Sequence, residues 1–184
     1  MMMGIFLLSG CIHRELIILG PEEGTEAVSQ EDNVTTIAGD ASAIPRIAFP
    51  KSEYSRLSKN GSGTVKGSIY VSDAYGRRVY GKQTRLYLNP VTSYSKQWYS
   101  ESYIGGYKMA KADKRLFNYL KFTASNTRGK FAFYGVPSGS YYVIGVVKCA
   151  KECGYATPTN IRIAKEVTVR GSNAVVVDLD KMIE

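Results

Sequence analysis

Asn126-Thr127-Arg128-Gly129-Lys130-Phe131-Ala132-Phe133-Tyr134-Gly135-Val136-Pro137-Ser138-Gly139-Ser140-Tyr141 is the stretch that decides the fold. Gly129 sits where a hairpin needs a positive φ, which glycine adopts without steric cost. Phe131 and Phe133 then alternate with smaller or polar residues, the two-residue rhythm of a strand with one buried face. Gly135, Pro137 and Gly139 punctuate before an apolar run over 140–148 that is long enough for a central strand. Working upstream, Val65, Gly67, Ile69 and Val71 alternate with Lys66, Ser68 and Tyr70, and Asp73-Ala74-Tyr75-Gly76 closes that strand in a turn. A second strand is predicted over 83–89, with Leu86 and Leu88 inward, and a third over 120–125. Downstream, 161–169 and 174–179 flank Gly171-Ser172-Asn173 and are predicted to form a last hairpin. Short strands with Gly-rich turns predict an all-β, seven-stranded β-sandwich over residues 64–184.

The same residues carry a family resemblance. Gly67-x-Ile69, Asp73-x-x-Gly76 and Asn126-x-x-Gly129-x-Phe131-x-Phe133-x-x-Val136-Pro137-x-Gly139-x-Tyr141 resemble the carboxypeptidase regulatory-like domain. The resemblance implies a transthyretin-like (Ig-like) sandwich in which Phe131 and Phe133 fill the core and Tyr141 packs beneath the Pro137–Gly139 turn. Arg78 stands near a position where that family often has Pro, Asn126 replaces a usual Asp, and an insertion over 90–119 separates the second and third strands. Domains of this kind accompany many unrelated activities, so the resemblance bears on fold rather than function.

Near the start, Leu8-Ser9-Gly10-Cys11 resembles the lipobox of bacterial lipoproteins, although residues 1–8 lack the Lys or Arg of a usual signal. The resemblance implies that residues 1–10 are a signal peptide and that Cys11 is the lipidation site. It also implies, because Ile12 and not Asp follows, sorting to the outer membrane, on its periplasmic or surface face. Several acyl chains on one cysteine anchor stably where one alone is marginal. No run reaches the ~18 apolar residues of a transmembrane helix. Residues 11–63 hold five Lys or Arg against eight Asp or Glu, with scattered turn formers and few aromatics, and read as a disordered, lipidated tether in which Pro45 and Pro50, with Ile47 and Phe49 between them, mark a candidate extended edge segment for docking. Residues 64–184 hold 19 against eight, so the basic charge lies in the sandwich.

With Cys11 lipidated, Cys149 and Cys153 remain as an even pair. An oxidising compartment favours a disulfide between them over two free buried thiols. A metal site would want more ligands, and the single His13 lies beside the anchor; no metal ligand set and no cofactor motif is found. Catalytic residues are likewise not found: no cysteine has an adjacent base, Asp178 and Asp180 read as surface charges, and Glu101 and Asp113 are a carboxylate pair only if the fold brings them together. The chain is therefore read as not an enzyme.

Individuality lies in the insertion, where Tyr94, Trp98, Tyr99, Tyr103 and Tyr107 crowd one segment. Ala112, Leu116 and Tyr119 fall on one face of a helix predicted over 109–119. The aromatics either roof the sandwich or present a platform beside basic residues. On the second reading the candidate binding residues are Arg85, Tyr94, Lys96, Trp98, Tyr99 and Lys108. Nucleic acid is excluded as a partner for an exported, lipidated protein, and scattered Lys and Arg also keep strand edges from pairing. Two functions are carried forward. One is a membrane-anchored envelope lipoprotein whose non-catalytic sandwich docks on an envelope protein; the other is a binding module for an anionic glycan or surface polysaccharide.

Overall fold

The computed structural model describes residues 43–183. The signal segment, Cys11 and most of the predicted tether lie outside the described residues. The described chain is a sandwich of two sheets, as expected, with nine strands rather than seven: β1 Gly63–Ser72, β2 Arg78–Tyr80, β3 Arg85–Pro90, β4 Lys121–Ala124, β5 Lys130–Val136, β6 Gly139–Cys149, β7 Thr159–Val169, β8 Ala174–Val176 and β9 Leu179–Met182. The short β2, which pairs with the end of β1 through Tyr70 and Tyr80, went unread because three residues carry no measurable period. The predicted last strand is two strands, β8 and β9.

In the first sheet β1 is central. It pairs antiparallel with β2 and β5 and parallel with β8 and β9. The predicted hairpin of the last two strands does not form. After β7 the chain crosses to the other sheet, and Val177 N–H donates to the Lys66 carbonyl while Asp178 Oδ1 accepts from Ser68 N–H. Asp180 meets Lys165 Nζ at 2.5 Å, so neither carboxylate is an unpartnered surface charge. The second sheet is antiparallel in the order β4-β3-β6-β7.

The core lies between the sheets and contains Val65, Ile69, Phe131 and Phe133 from the first and Leu86, Leu88, Val143 and Ile163 from the second. The turn that opened the sequence reading forms with Gly129 at φ 73° and with Asn126 Oδ1 accepting from Arg128 and Lys130 N–H, the service an Asp would give. Tyr141 donates its hydroxyl to the Pro137 carbonyl at 3.0 Å. Cys149 and Cys153 are joined by a disulfide, Cα atoms 5.7 Å apart, at one end of this core.

Residues 43–62, predicted as tether, pack against the domain. Ile44 bridges Met109, helix α1 (Lys51–Ser55) follows Pro50, and Tyr54 is fully buried with Phe49 stacked on it at 4.5 Å. Two aromatics in a polar segment suffice when a complementary apolar surface waits elsewhere in the chain. Average composition hides that. The insertion also differs from expectation: Ser93–Gln97 is a helix, α2, while the helix predicted over 109–119 is only a 3-10 segment, Lys114–Tyr119. Its apolar face was read correctly, since Leu116 is buried with Ala112 and Tyr119 beside it. No helix among the described residues is long and apolar enough to cross a membrane.

Candidate binding cleft on the outer face of the second sheet

Because side chains alternate along a strand, β3, β4, β6 and β7 present a second, outward face. Phe122, Tyr87, Ile144 and Ala164 lie in register across it, and Asn89 and Tyr142 form the next pair. β6 is therefore covered on both sides, which is why its sequence lacks clean alternation.

The insertion covers part of this face. Thr92 starts α2 with a reciprocal cap: its Oγ1 accepts from Ser95 N–H and Ser95 Oγ accepts from Thr92 N–H. The Glu53 carboxylate adds to it by accepting from Ser93 Oγ at 2.6 Å and Ser93 N–H at 2.8 Å, and these bonds hold it below its ordinary pKa. After Gln97 the helix widens to a π-helical turn, Trp98–Ile104. Wider winding lets residues five apart share a face, and Trp98 stacks on Tyr103 at 6.1 Å while Tyr99 stacks on Tyr142 at 4.4 Å and 8°. Desolvation raises the Tyr99 and Tyr142 hydroxyls above their ordinary pKa.

The predicted binding residues thus separate. Tyr94 is 2% exposed, packed with Tyr54 and Leu116, and its hydroxyl accepts from Asp113 N–H at 2.8 Å; it is a core residue at the back of the aromatic cleft described below, not an exposed platform. Tyr99 has one ring face against Tyr142 and belongs to the roof of the sheet. Lys96 is exposed on α2 and lines none of the clefts described below. Arg85 lies 4.5 Å over the Phe122 ring at the sheet's edge. Trp98 and Lys108 do line a cleft. Glu101 accepts from Gln97 Nε2 and Asp113 pairs with Arg115, so each carboxylate is engaged separately.

Two adjoining clefts share Trp98 and Arg46. One, about 250 Å³, is walled by Tyr87, Trp98, Phe117 and Phe122 and has Asn89 in its lining. Asn89 is 5% exposed and its Oδ1 has no hydrogen-bond partner. The other, about 440 Å³, is lined by Arg46, Trp98, Ser102, Tyr107, Lys108 and Arg162. Phe117 and Tyr107 are each 60% exposed, so aromatic surface is open at both mouths. Arg162 lies 5.9 Å over the Trp98 ring. Arg46 is fixed by Nε donating to the Ala110 carbonyl at 2.7 Å, while the Gln97 amide brackets it by donating to the Pro45 carbonyl and accepting from Ile47 N–H. Burial raises the Tyr87 hydroxyl's pKa, against the opposing fields of Arg162 and Arg46.

Sequence reasoning missed Arg46, Tyr87, Asn89, Phe117, Phe122 and Arg162. One signal existed: on the helical pattern Phe117 falls off the Leu116 face and so had to be exposed. The others are brought together only by the sheet register and by the docking of residues 43–62.

No family model matches the chain, and no curated protein matches it. Among solved structures, a proposed carbohydrate-binding protein from Pseudomonas aeruginosa superposes with a TM-score of 0.64 at 27% sequence identity, covering 74% of this chain and 99% of that one. (S)-allantoin synthase aligns over 67% of this chain and 42% of its own at 13% identity and a TM-score of 0.33, too slight a likeness to inform fold or activity.

Proposed function

We propose that this protein is a non-catalytic carbohydrate-binding β-sandwich, held in the cell envelope by an acylated Cys11. The observation that carries the reading is the pair of aromatic-walled clefts sharing Trp98, with an unpaired Asn89 amide oxygen in the wall of one of them. Sugar rings present apolar C–H faces that pack on aromatic rings, and hydroxyls that pair with amides and guanidinium groups. The likeness to a proposed carbohydrate-binding protein over nearly its whole length supports the same reading. Docking on an envelope protein rests on less, chiefly the exposed Tyr134 and Val176 on the first sheet.

The test is a saccharide panel probed with wild type and Trp98→Ala. Binding by wild type, weakened about tenfold or more in Trp98→Ala as befits loss of an aromatic anchor, is the expected result. Wild-type failure across the panel would sink the reading. The anchor is tested separately by membrane fractionation. Wild type is expected in the outer membrane and Cys11→Ala in the soluble fraction; equal partitioning of the two would remove the lipid anchor.

A further inference from the structure

We propose that the cleft pair takes an acidic polysaccharide, with a carboxylate-bearing sugar between Arg46 and Arg162 and the neighbouring sugar stacked in the aromatic cleft beside Asn89. The inference rests on the carbohydrate reading above and adds the ligand's class and its orientation.

Three observations carry it. First, the larger cleft is lined by Arg46, Lys108 and Arg162, with no Asp or Glu among its described lining residues. Among the described residues the ion pairs are Asp73–Arg77, Asp113–Arg115 and Asp180–Lys165, so neither Arg46 nor Arg162 is in one. Guanidinium groups that stay unpaired beside a shared cleft offer planar, two-pronged donors suited to a carboxylate. Second, Arg46 is pre-positioned: its Nε donates to the Ala110 carbonyl, its guanidinium lies 5.3 Å from the Tyr94 ring centroid, and the Gln97 amide fixes the backbone on either side through Pro45 and Ile47. It has therefore already lost most of the freedom that binding would otherwise remove. Third, the adjoining cleft is different in kind. Aromatic walls and the buried Asn89 Oδ1, which lacks a donor, suit a neutral sugar that gives one ring face to the aromatics and a hydroxyl to the amide. A buried amide oxygen without a partner is a standing cost to the fold, which a ligand hydroxyl reached by a small rotation of the amide relieves. The two clefts meet at Trp98, so a chain with an acidic unit next to a neutral one matches their order.

The experiment is calorimetry of the full chain with hyaluronan hexasaccharide, which alternates a uronate with a neutral N-acetylhexosamine, beside polygalacturonate oligomers, carboxyl-reduced hyaluronan and cellohexaose. Expected is binding of an acidic oligosaccharide that weakens about tenfold on carboxyl reduction and also in Arg162→Gln, the loss of one charge-assisted contact in each case, and falls with added salt. Among the described residues the Arg162 guanidinium makes no ion pair and lies over the Trp98 ring, so this variant is expected to keep the fold. Asn89→Leu is expected to weaken hyaluronan while leaving polygalacturonate, which has no neutral unit, less affected. Equal binding of reduced and acidic forms, or preference for cellohexaose, overturns the acidic assignment and leaves the carbohydrate reading standing. Binding of none of the four overturns both.

Discussion

Tyr94 and Trp98 lie one helical turn apart in the same insertion and both line the aromatic cleft, yet Tyr94 is buried at its back while Trp98 is half-buried and shared by both clefts. Nothing in their local sequence separates them. The difference is set by residues 43–62, which bring Phe49 and Tyr54 against Tyr94, and by Arg162, which comes to Trp98 from β7. Asp113 is a residue whose role is local and testable. Its side chain accepts from Arg115 N–H and pairs with the Arg115 guanidinium, which begins the 3-10 segment bearing Leu116 and Phe117. Those hydrogen bonds hold its pKa at about 2, below the ordinary 3.8. A carboxyl whose folded pKa is depressed contributes stability that is present above the unfolded value and lost as pH falls through the folded one. Amide protection at Arg115 is therefore expected to persist at pH 5 and to fall between about pH 4 and 2, in an NMR titration that reads the Asp113 carboxyl directly. A titration midpoint at the ordinary value would remove this capping role.

At the scale of elements, strands with one buried face were legible and elements fixed by long-range partners were not. β1, β3, β5 and β6 fall where alternation and turn residues put them, since a buried face must repeat every second residue. The crossover of the last strands was not legible, because 174–182 alternates equally well beside β7 or beside β1. What decides is Gly67, whose missing side chain leaves room for the Val177 carbonyl; a Cβ there would overlap that backbone. A resemblance had marked Gly67 without saying why it is glycine. Gly67→Ala is expected to destabilise the fold by about 1–3 kcal/mol, the range for overpacking, in denaturant titration. Lys66→Ala, one position away and exposed, is expected to change little. Similar losses for both variants would show that the close passage of 177 over β1 does not constrain the sheet. The π-helical turn was unreadable for a related reason. Aromatic spacing over 94–107 fits no single period, and it becomes regular only when Tyr99 and Tyr103 stack over the outer face of the second sheet.

For the whole molecule, the segment leading from the predicted anchor into the sandwich is also a wall of the candidate site. Composition marked residues 11–63 as one polar tether, and over 43–62 only the docking of the Pro45–Pro50 stretch with Phe49 was legible, because burial of α1 and Tyr54 depends on single aromatics and not on the average. Tyr54 is the fastener. It is fully buried, stacked on Phe49, and its hydroxyl accepts from Thr92 Oγ1 at 3.0 Å, tying α1 to the cap of α2. Arg46 lies eight residues before it and is tied by its bond to Ala110, by the Gln97 amide that holds Pro45 and Ile47, and by its place over the ring of Tyr94, which itself packs against Tyr54. Removing the fastener should therefore act at two places. Tyr54→Ala is expected to cost about 3–5 kcal/mol, as large aromatic truncations in cores do, and to weaken saccharide binding by loosening Arg46, although Tyr54 lines neither cleft. Phe131→Ala, in the core between the sheets, should cost a comparable amount of stability while leaving the affinity of the molecules that remain folded unchanged. Calorimetry below each variant's unfolding temperature separates the two. If Tyr54→Ala binds saccharide as wild type does, the leading segment is only a brace; if its affinity falls while that of Phe131→Ala holds, the segment that precedes the sandwich also completes its binding site.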